Sequence, residues 1–282
     1  MEFRPDDGFG WAARIRLDRV AGVGGKYHVA GDSPETRAAR VNDLFAAVAP
    51  RYDLINDLQS FGLHRWWKRR LVRASGVRSG TRALDVCCGT GDVAFALAKE
   101  GAETTGLDFS AAMLAVARRR ADREAGCNPP RFLQGDALHL PFEADSFEAV
   151  TISYGLRNLA DLDGGLQELK RVLRPGGRLL ILDFGKPDWA PWCWFYFQYL
   201  RWCVPVLGRV FCGDADTHGY ILQSLRAYPG QRAVDERLMR AGFQQRALHQ
   251  LLGGIMAINV AMKPKAPSKE WSFSSAELDH GG

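Results

Sequence analysis

The chain has 282 residues, of which 46% are hydrophobic, 24% charged and 11% aromatic, and its formal net charge is +5. That apolar share is enough to offset ordering entropy, so a disordered chain is excluded, and the length allows one large domain or two small ones. The mild cationic excess argues against a nucleic-acid-binding stripe and leaves an anionic partner or membrane surface open.

Residues 1–32 are Gly-rich and broken by charge; they lack the apolar stretch of a signal peptide and read as an extension of low order. Ser33-Pro34-Glu35 is a helix start, with a Ser cap and Pro at the first helical position, and Val41, Leu44, Phe45 and Val48 follow on one face. A second helix is predicted over about 58–74. Then short apolar runs alternate with helical patterns. Strands are expected at 83–87, 103–108, 131–133, 149–153 and 178–184, with helices at 92–99, from Ser110 to about 125, and through Leu166, Leu169, Val172 and Leu173. That last helix should end at Arg174-Pro175-Gly176-Gly177. Segments 244–250 and 255–262 could pair as a hairpin, and residues 265–282 read as a flexible tail. The alternation predicts an α/β fold with a doubly wound, mostly parallel sheet of Rossmann-like type and a C-terminal antiparallel hairpin. One domain should cover 33–264, with a helical cover at 33–75 and a helical lid at 185–230.

Asp85-Val86-Cys87-Cys88-Gly89-Thr90-Gly91-Asp92 lies where the first strand feeds a helix, the place where ligands sit outside the carboxyl ends of such strands. The run Gly89–Ala94 satisfies G-x-G-x-x-G/A, with Asp108 19 positions after Gly89, so spacing alone leaves a dinucleotide site open. Charge favours another ligand. A pyrophosphate needs the helix N-terminus, where Asp92 would repel it while capping the same amides. S-adenosylmethionine has no phosphate and carries a sulfonium and an ammonium. Asp85 could take its amino end through water, Asp108 its ribose hydroxyls and Asp136 its adenine amino group. A nicotinamide-dependent oxidoreductase is the competing class.

Three further blocks carry a resemblance. Arg51-Tyr52-Asp53-Leu54-Ile55-Asn56-Asp57, followed by Ser60–Lys68, is similar to the amino-terminal signature of the quinone-biosynthesis C-methyltransferases, which act on demethylmenaquinol or on ubiquinone-pathway benzoquinols. Arg171–Arg178, continuing to Asp183-Phe184-Gly185-Lys186-Pro187, resembles their second signature, and Thr151–Asn158 a third block. The resemblance covers about residues 37–264. It implies S-adenosyl-L-methionine bound at Thr90, Asp108, Asp136, Ala137 and Ser153, with Gly89 and Gly91 giving backbone clearance. Asp183 stands in place of a usual Glu, and Asn259 in place of a usual His, which removes a proton-transfer role there.

The implied reaction puts a methyl group on a ring carbon of a reduced, prenylated quinol. Arg157 is the expected phenolate-stabilising cation, against a surface ion pair as the plainer reading. Asn158 would orient substrate oxygens. Tyr52 would bond a quinol hydroxyl or relay a proton, against a packed core phenol. His64 is expected to pack, and His218 and Tyr220 to contact ligand from the lid.

The lipid substrate draws attention to two segments. Residues 64–70 interleave aromatics with cations, and Trp189–Phe211 is dense in aromatics but interrupted by Gln198, Arg201, Pro205 and Arg209, so it cannot span a bilayer. The functional reading is a lid lining a polyprenyl groove at a membrane surface; the plainer one is a helix buried on the sheet or in a homodimer. No metal-ligand cluster stands out: Cys87 and Cys88 are adjacent, and none of the six cysteines forms a C-x-x-C pair. Together these features suggest a reducing, cytoplasmic setting, at the inner face of the membrane where the prenylated substrate lies.

Overall fold

The computed structural model describes residues 34–123, 128–206, 222 and 224–265. Seven strands form one sheet in the order β3-β2-β1-β4-β5-β7-β6. They are β1 (Arg82–Val86), β2 (Glu103–Asp108), β3 (Arg131–Gln134), β4 (Phe147–Ser153), β5 (Leu173–Phe184), β6 (Gln244–Leu251) and β7 (Met256–Met262). The first five pair in parallel, and β7 runs antiparallel to both β5 and β6. This is a Rossmann-like, mostly parallel architecture, as the alternation of strands and helices predicts. The strand order reverses between β1 and β4, and the crevice at their carboxyl ends is where such sheets bind ligands.

Parallel strands covered on both faces need continuous apolar runs rather than alternation. Ala83, Leu84 and Val86 of β1, Val150 and Ile152 of β4 and Leu179–Leu182 of β5 are all buried. One face packs on Leu166, Leu169 and Val172 of α6 (Leu162–Val172) and on Val234 and Leu238 of α8 (Gln231–Arg240). The other packs on Trp67, Leu71 and Val72 of α3 (Leu63–Ser75) and on Val93 and Leu97 of α4 (Asp92–Lys99). Helix α5 (Ala111–Arg123) joins Phe95 and Phe132 in a third cluster.

The cover consists of α1 (Pro34–Val48), a 3-10 turn at Ala49–Arg51, α2 (Tyr52–Ser60) and α3. The helix expected over 58–74 is divided. Phe61 and Gly62 both adopt left-handed conformations (φ 51° and 74°), which ends α2 and starts α3 at a new angle. The fifth strand starts earlier than expected. The Arg174–Gly177 segment is held in the sheet by Gly176 N–H donating to Lys263 O and by Lys263 N–H donating to Gly177 O. The Ser33 cap and the lid residues Phe211, His218 and Tyr220 lie outside the described residues. In the lid, α7 (Ala190–Gln198) runs into a π-helical turn at Tyr199–Cys203. That turn keeps Tyr196, Leu200 and Val204 on the core while Trp194, Phe195 and Trp202 stay exposed.

Candidate active site

A cavity of about 620 Å³ opens at the carboxyl ends of β1, β2 and β4. The strand ends contribute Cys87, Gly89, Asp108, Asp136, Ala137, Ser153, Tyr154 and Asn158, and the helices before β1 contribute Asn42 and Phe45 of α1 and Tyr52 of α2. The size suits a drug-sized ligand.

Helix α4 starts at Gly91 and α5 follows Ser110, so the β1 and β2 loops stay short and bring Asp108 beside Gly89. Gly89 (φ 56°) is backbone that L side chains rarely adopt, and its N–H donates to Asp108 Oδ2 at 2.7 Å. The other oxygen accepts from Ser110 N–H at 2.9 Å. Burial raises the Asp108 pKa, opposed by these amides. Asp136 lies across the cavity, half exposed, with Oδ1 accepting from Leu138 N–H at 2.9 Å. The hydroxyls of Ser110 and Ser153 line the same space, buried and without hydrogen-bond partners. A wall with a carboxylate anchored by two amides, a second carboxylate and two unsatisfied hydroxyls is complementary to a cationic ligand bearing ribose hydroxyls and an amino purine. The residues present fit S-adenosylmethionine.

Four expected residues are elsewhere. Asp85 is fully buried, accepts from Thr151 Oγ1 at 2.7 Å and from the amide of Ala94, and does not line the cavity. Burial pushes its pKa up to about 7. Thr90, 2% exposed, donates through Oγ1 to Asp53 Oδ1 at 2.8 Å; its hydroxyl joins the cover to the glycine turn and faces away from the ligand space. Gly91 (φ 89°) gives clearance to protein rather than ligand, because a Cβ there would lie 2.8 Å from Phe132 Cζ.

Arg157 is the largest departure. It is 8% exposed, and Nη1 donates to Asp183 Oδ1 at 2.6 Å and to Tyr154 O at 2.8 Å. Its guanidinium carbon lies 4.8 Å from the Phe184 ring centroid. It is a buried ion pair behind the cavity wall, neither a surface pair nor a cation facing the cavity. Asn158 does line the cavity, and its Nδ2 donates to the same Tyr154 carbonyl at 3.2 Å.

Asp92 does not cap α4; the N-cap is Gly91, with no side-chain cap bond. Its carboxylate accepts from Lys68 Nζ and Arg120 Nη1, each at 2.7 Å, and these cations hold its pKa below the usual carboxylate range despite burial. Two cations therefore offset the repulsion expected at this helix terminus, and discrimination against a phosphate ligand falls to Asp108 and Asp136.

Tyr52 lines the cavity against the Phe45 ring, 6.2 Å between centroids, and burial raises its pKa. His64 packs as expected, bonded to Asp57 at 2.8 Å. Asn259 is buried and donates to Gln231 O and Asp235 Oδ1, fastening β7 to α8. Lys68, Arg120 and Tyr154 were not singled out as site residues from sequence. Tyr154 stood within the Thr151–Asn158 block, which was the available signal.

Among the described residues, no helix is long and apolar enough to cross a membrane, and no group of three or more His, Cys, Asp or Glu could hold a metal ion.

Comparison with known proteins agrees with this geometry. Residues 33–263 match the model of the ubiE/COQ5 methyltransferase family. The chain is 40% identical over 233 residues to the "Ubiquinone/menaquinone biosynthesis C-methyltransferase UbiE" of Cellvibrio japonicus (strain Ueda107), spanning 82% of this chain and 94% of that protein. It is 40% identical over 235 residues to the protein of the same name from Azotobacter vinelandii, spanning 82% and 93%. Among solved structures, a SAM-dependent methyltransferase from Aquifex aeolicus covers 82% of this chain and 99% of its own, with a TM-score of 0.52 at 16% identity. Phosphoethanolamine N-methyltransferase 2 of Haemonchus contortus, solved with S-adenosyl-L-methionine, has a TM-score of 0.54 at 18% identity and covers 71% of this chain and 52% of its own. These two likenesses concern the fold. With the family match over most of its length, the chain belongs to the ubiE/COQ5 methyltransferase family and is an S-adenosylmethionine-dependent C-methyltransferase.

Proposed function

We propose that the enzyme methylates a ring carbon of a reduced, prenylated quinol, converting demethylmenaquinol to menaquinol. The observation that carries this reading is a single cavity lined both by the carboxylates Asp108 and Asp136 and by the aromatic rings of Phe45, Tyr52 and Tyr154. A charged donor suits the carboxylates and an aromatic acceptor the rings. The names of the relatives cover both ubiquinone and menaquinone biosynthesis, so benzoquinol methylation is the second reading. The Cys87-Cys88-Gly89-Thr90 turn and the aromatic helix after Lys186-Pro187 resemble the menaquinone-pathway members of the family more closely, which favours the naphthoquinol.

Asp108, Asp136, Ala137, Ser153 and the Gly89 backbone would hold S-adenosylmethionine. When bound, it supplies an electrophilic methyl carbon on a positively charged sulfur. The chain holds the acceptor ring in line, and alignment of two reactants contributes up to about 7–11 kcal/mol. A ring carbon becomes nucleophilic when the adjacent hydroxyl loses its proton, and once it carries the methyl group its own hydrogen leaves as a proton, which restores the aromatic ring. Burial keeps the Tyr52 phenol protonated at neutral pH, which makes it a hydrogen-bond donor to that oxygen. Asn158 orients the substrate from the β4 side. Among the described residues Asp108 and Asp136 are the only carboxylates lining the cavity, and a proton leaving the ring hydroxyl reaches one of them through water.

A prenyl chain favours a membrane surface. Trp189, Trp194, Phe195 and Trp202 are 56–69% exposed around α7 and its π-helical turn. Tyr199 OH donates to Gln59 O at 3.1 Å, which sets this segment beside the exposed Phe61 at the end of α2. Arg65, Arg69 and Arg70 of α3 add cations, and an anionic bilayer is the partner that this surface fits.

The test is incubation with labelled donor and, separately, reduced naphthoquinol and benzoquinol head groups, with the label located by NMR. Label on the naphthoquinol ring carbon is expected. Label on oxygen would overturn the reading, and label on benzoquinol alone would replace it with the second.

A further inference from the structure

Tyr154 has four features that no role assigned so far uses. Its φ is 59°, a left-handed conformation that side-chain-bearing residues seldom adopt and that concentrates at functional sites. Its backbone is clamped on both sides: its N–H donates to Leu182 O at 2.8 Å, and its carbonyl accepts from Arg157 Nη1 and Asn158 Nδ2. The side chain lines the cavity, resting on Phe184 with 5.7 Å between centroids, and Lys68 Nζ lies 5.9 Å from the Tyr154 ring centroid. Its hydroxyl is buried and has no hydrogen-bond partner.

A buried hydroxyl without a partner is costly, and a left-handed backbone adds to that cost. A purely structural residue would be served better by phenylalanine, which keeps the ring contacts with Phe184 and Lys68 and removes the unsatisfied oxygen. The combination makes sense if the hydroxyl is completed by something that enters the cavity. Ser110 and Ser153 bring hydroxyls beside Asp108 and at the end of β4, whereas the Tyr154 ring packs on Phe184 at the end of β5.

We infer that Tyr154 is a catalytic residue that donates a hydrogen bond from its hydroxyl to a ring oxygen of the quinol, and that the buried Arg157–Asp183 pair positions it. This rests on the quinol reading given above. Tyr52 and Tyr154 then form a pair of phenol donors around the substrate oxygen, and the charge that develops on that oxygen is stabilised without a cation in the cavity wall. Arg157 acts through Tyr154: its guanidinium holds the carbonyl whose residue carries the donor.

The experiment compares wild type with Tyr154→Phe in three measurements: turnover with a reduced naphthoquinol, affinity for S-adenosylhomocysteine by calorimetry, and melting temperature without ligand. The variant should lose at least tenfold in kcat, bind S-adenosylhomocysteine within twofold of wild type, and melt no lower. Unchanged turnover would overturn the inference. A tenfold loss of S-adenosylhomocysteine affinity would also overturn it, because Tyr154 would then hold the methyl donor. Failure of the wild type on every quinol is a separate result, and it refutes the quinol reading itself.

Discussion

The Lys68 ammonium donates to Asp92 Oδ2 at 2.7 Å, tying the cover helix α3 to the first turn of α4 beneath the glycine turn. Arg120 of α5 reaches the same carboxylate and also donates to Thr90 O at 3.0 Å. Helix α3, the glycine turn and α5 are thus joined through one partly buried carboxylate, and the ligand space between them depends on that junction.

Lys68→Met removes one of the two cations and leaves Asp92 held by Arg120 alone. Breaking a fully buried pair costs about 3–5 kcal/mol, but Asp92 is 23% exposed and keeps Arg120, so this case falls below that range, at about 1–2 kcal/mol. Urea unfolding of wild type and variant measures it. A change under 1 kcal/mol would mean that the junction is not a structural fastener.

Asp85 gives the fold a pH dependence opposite in sign to that of Asp92. Its folded pKa, about 7, lies above its ordinary value of 3.8. Between these limits the folded chain keeps a proton that the unfolded chain has lost. Stability therefore falls as pH rises from about 4 to 7 and levels off above, by on the order of 4 kcal/mol at most. The depressed Asp92 pKa instead adds stability above about pH 4, lost as pH falls below it. Asp85→Asn should flatten the slope between pH 4 and 7 in melts across that range, and an unchanged slope would assign it to other groups.

Arg157 and Asp183 should behave as a unit. Arg157→Met alone leaves the Asp183 carboxylate buried, 3% exposed, without its guanidinium partner, and should cost about 3–5 kcal/mol. Arg157→Met combined with Asp183→Leu removes both charges and should recover most of that loss in the same unfolding measurement, while turnover stays low because Tyr154 has lost its clamp. Additive losses in the double variant would contradict the pairing.

Much of this architecture was legible in the chain. The runs that became β1, β4 and β5 carry short apolar clusters (Ala83-Leu84, Ala149-Val150 and Leu179–Leu182), and the hairpin of β6 and β7 was visible as two runs without an intervening helix. Asp108 ends β2 and Asp136 follows β3 by two residues, so the strand pattern points to them, whereas Ser153 came only with the resemblance. What escaped depended on long-range pairing. Arg157 follows a strand end as a ligand residue would, yet its partner Asp183 is 26 positions away on β5. The Arg174–Gly177 turn could not be read as strand without knowing that Lys263, just past the end of β7, would bond to it. The break at Phe61-Gly62 had a local signal, a glycine after a helical run, which the signature across Ser60–Lys68 obscured.

The exposed aromatic surface should bind anionic bilayers. Trp194→Ser with Trp202→Ser removes two side chains that are 58% and 62% exposed. In sedimentation with vesicles of phosphatidylglycerol and phosphatidylcholine, the double variant should bind at least fivefold less than wild type, with S-adenosylhomocysteine affinity unchanged. Equal sedimentation would remove these residues from any membrane contact.

The claim that the donor sits against Asp108, anchored by the amides of Gly89 and Ser110, is tested most directly by calorimetric titration of Asp108→Asn with S-adenosylhomocysteine. Hydrogen bonds to a charged group contribute about 1.5–3 kcal/mol, so affinity should fall roughly 10- to 100-fold relative to wild type. Undiminished affinity in a folded variant would contradict the account, since the ligand would then be held somewhere other than the acid wall at the ends of β1 and β2.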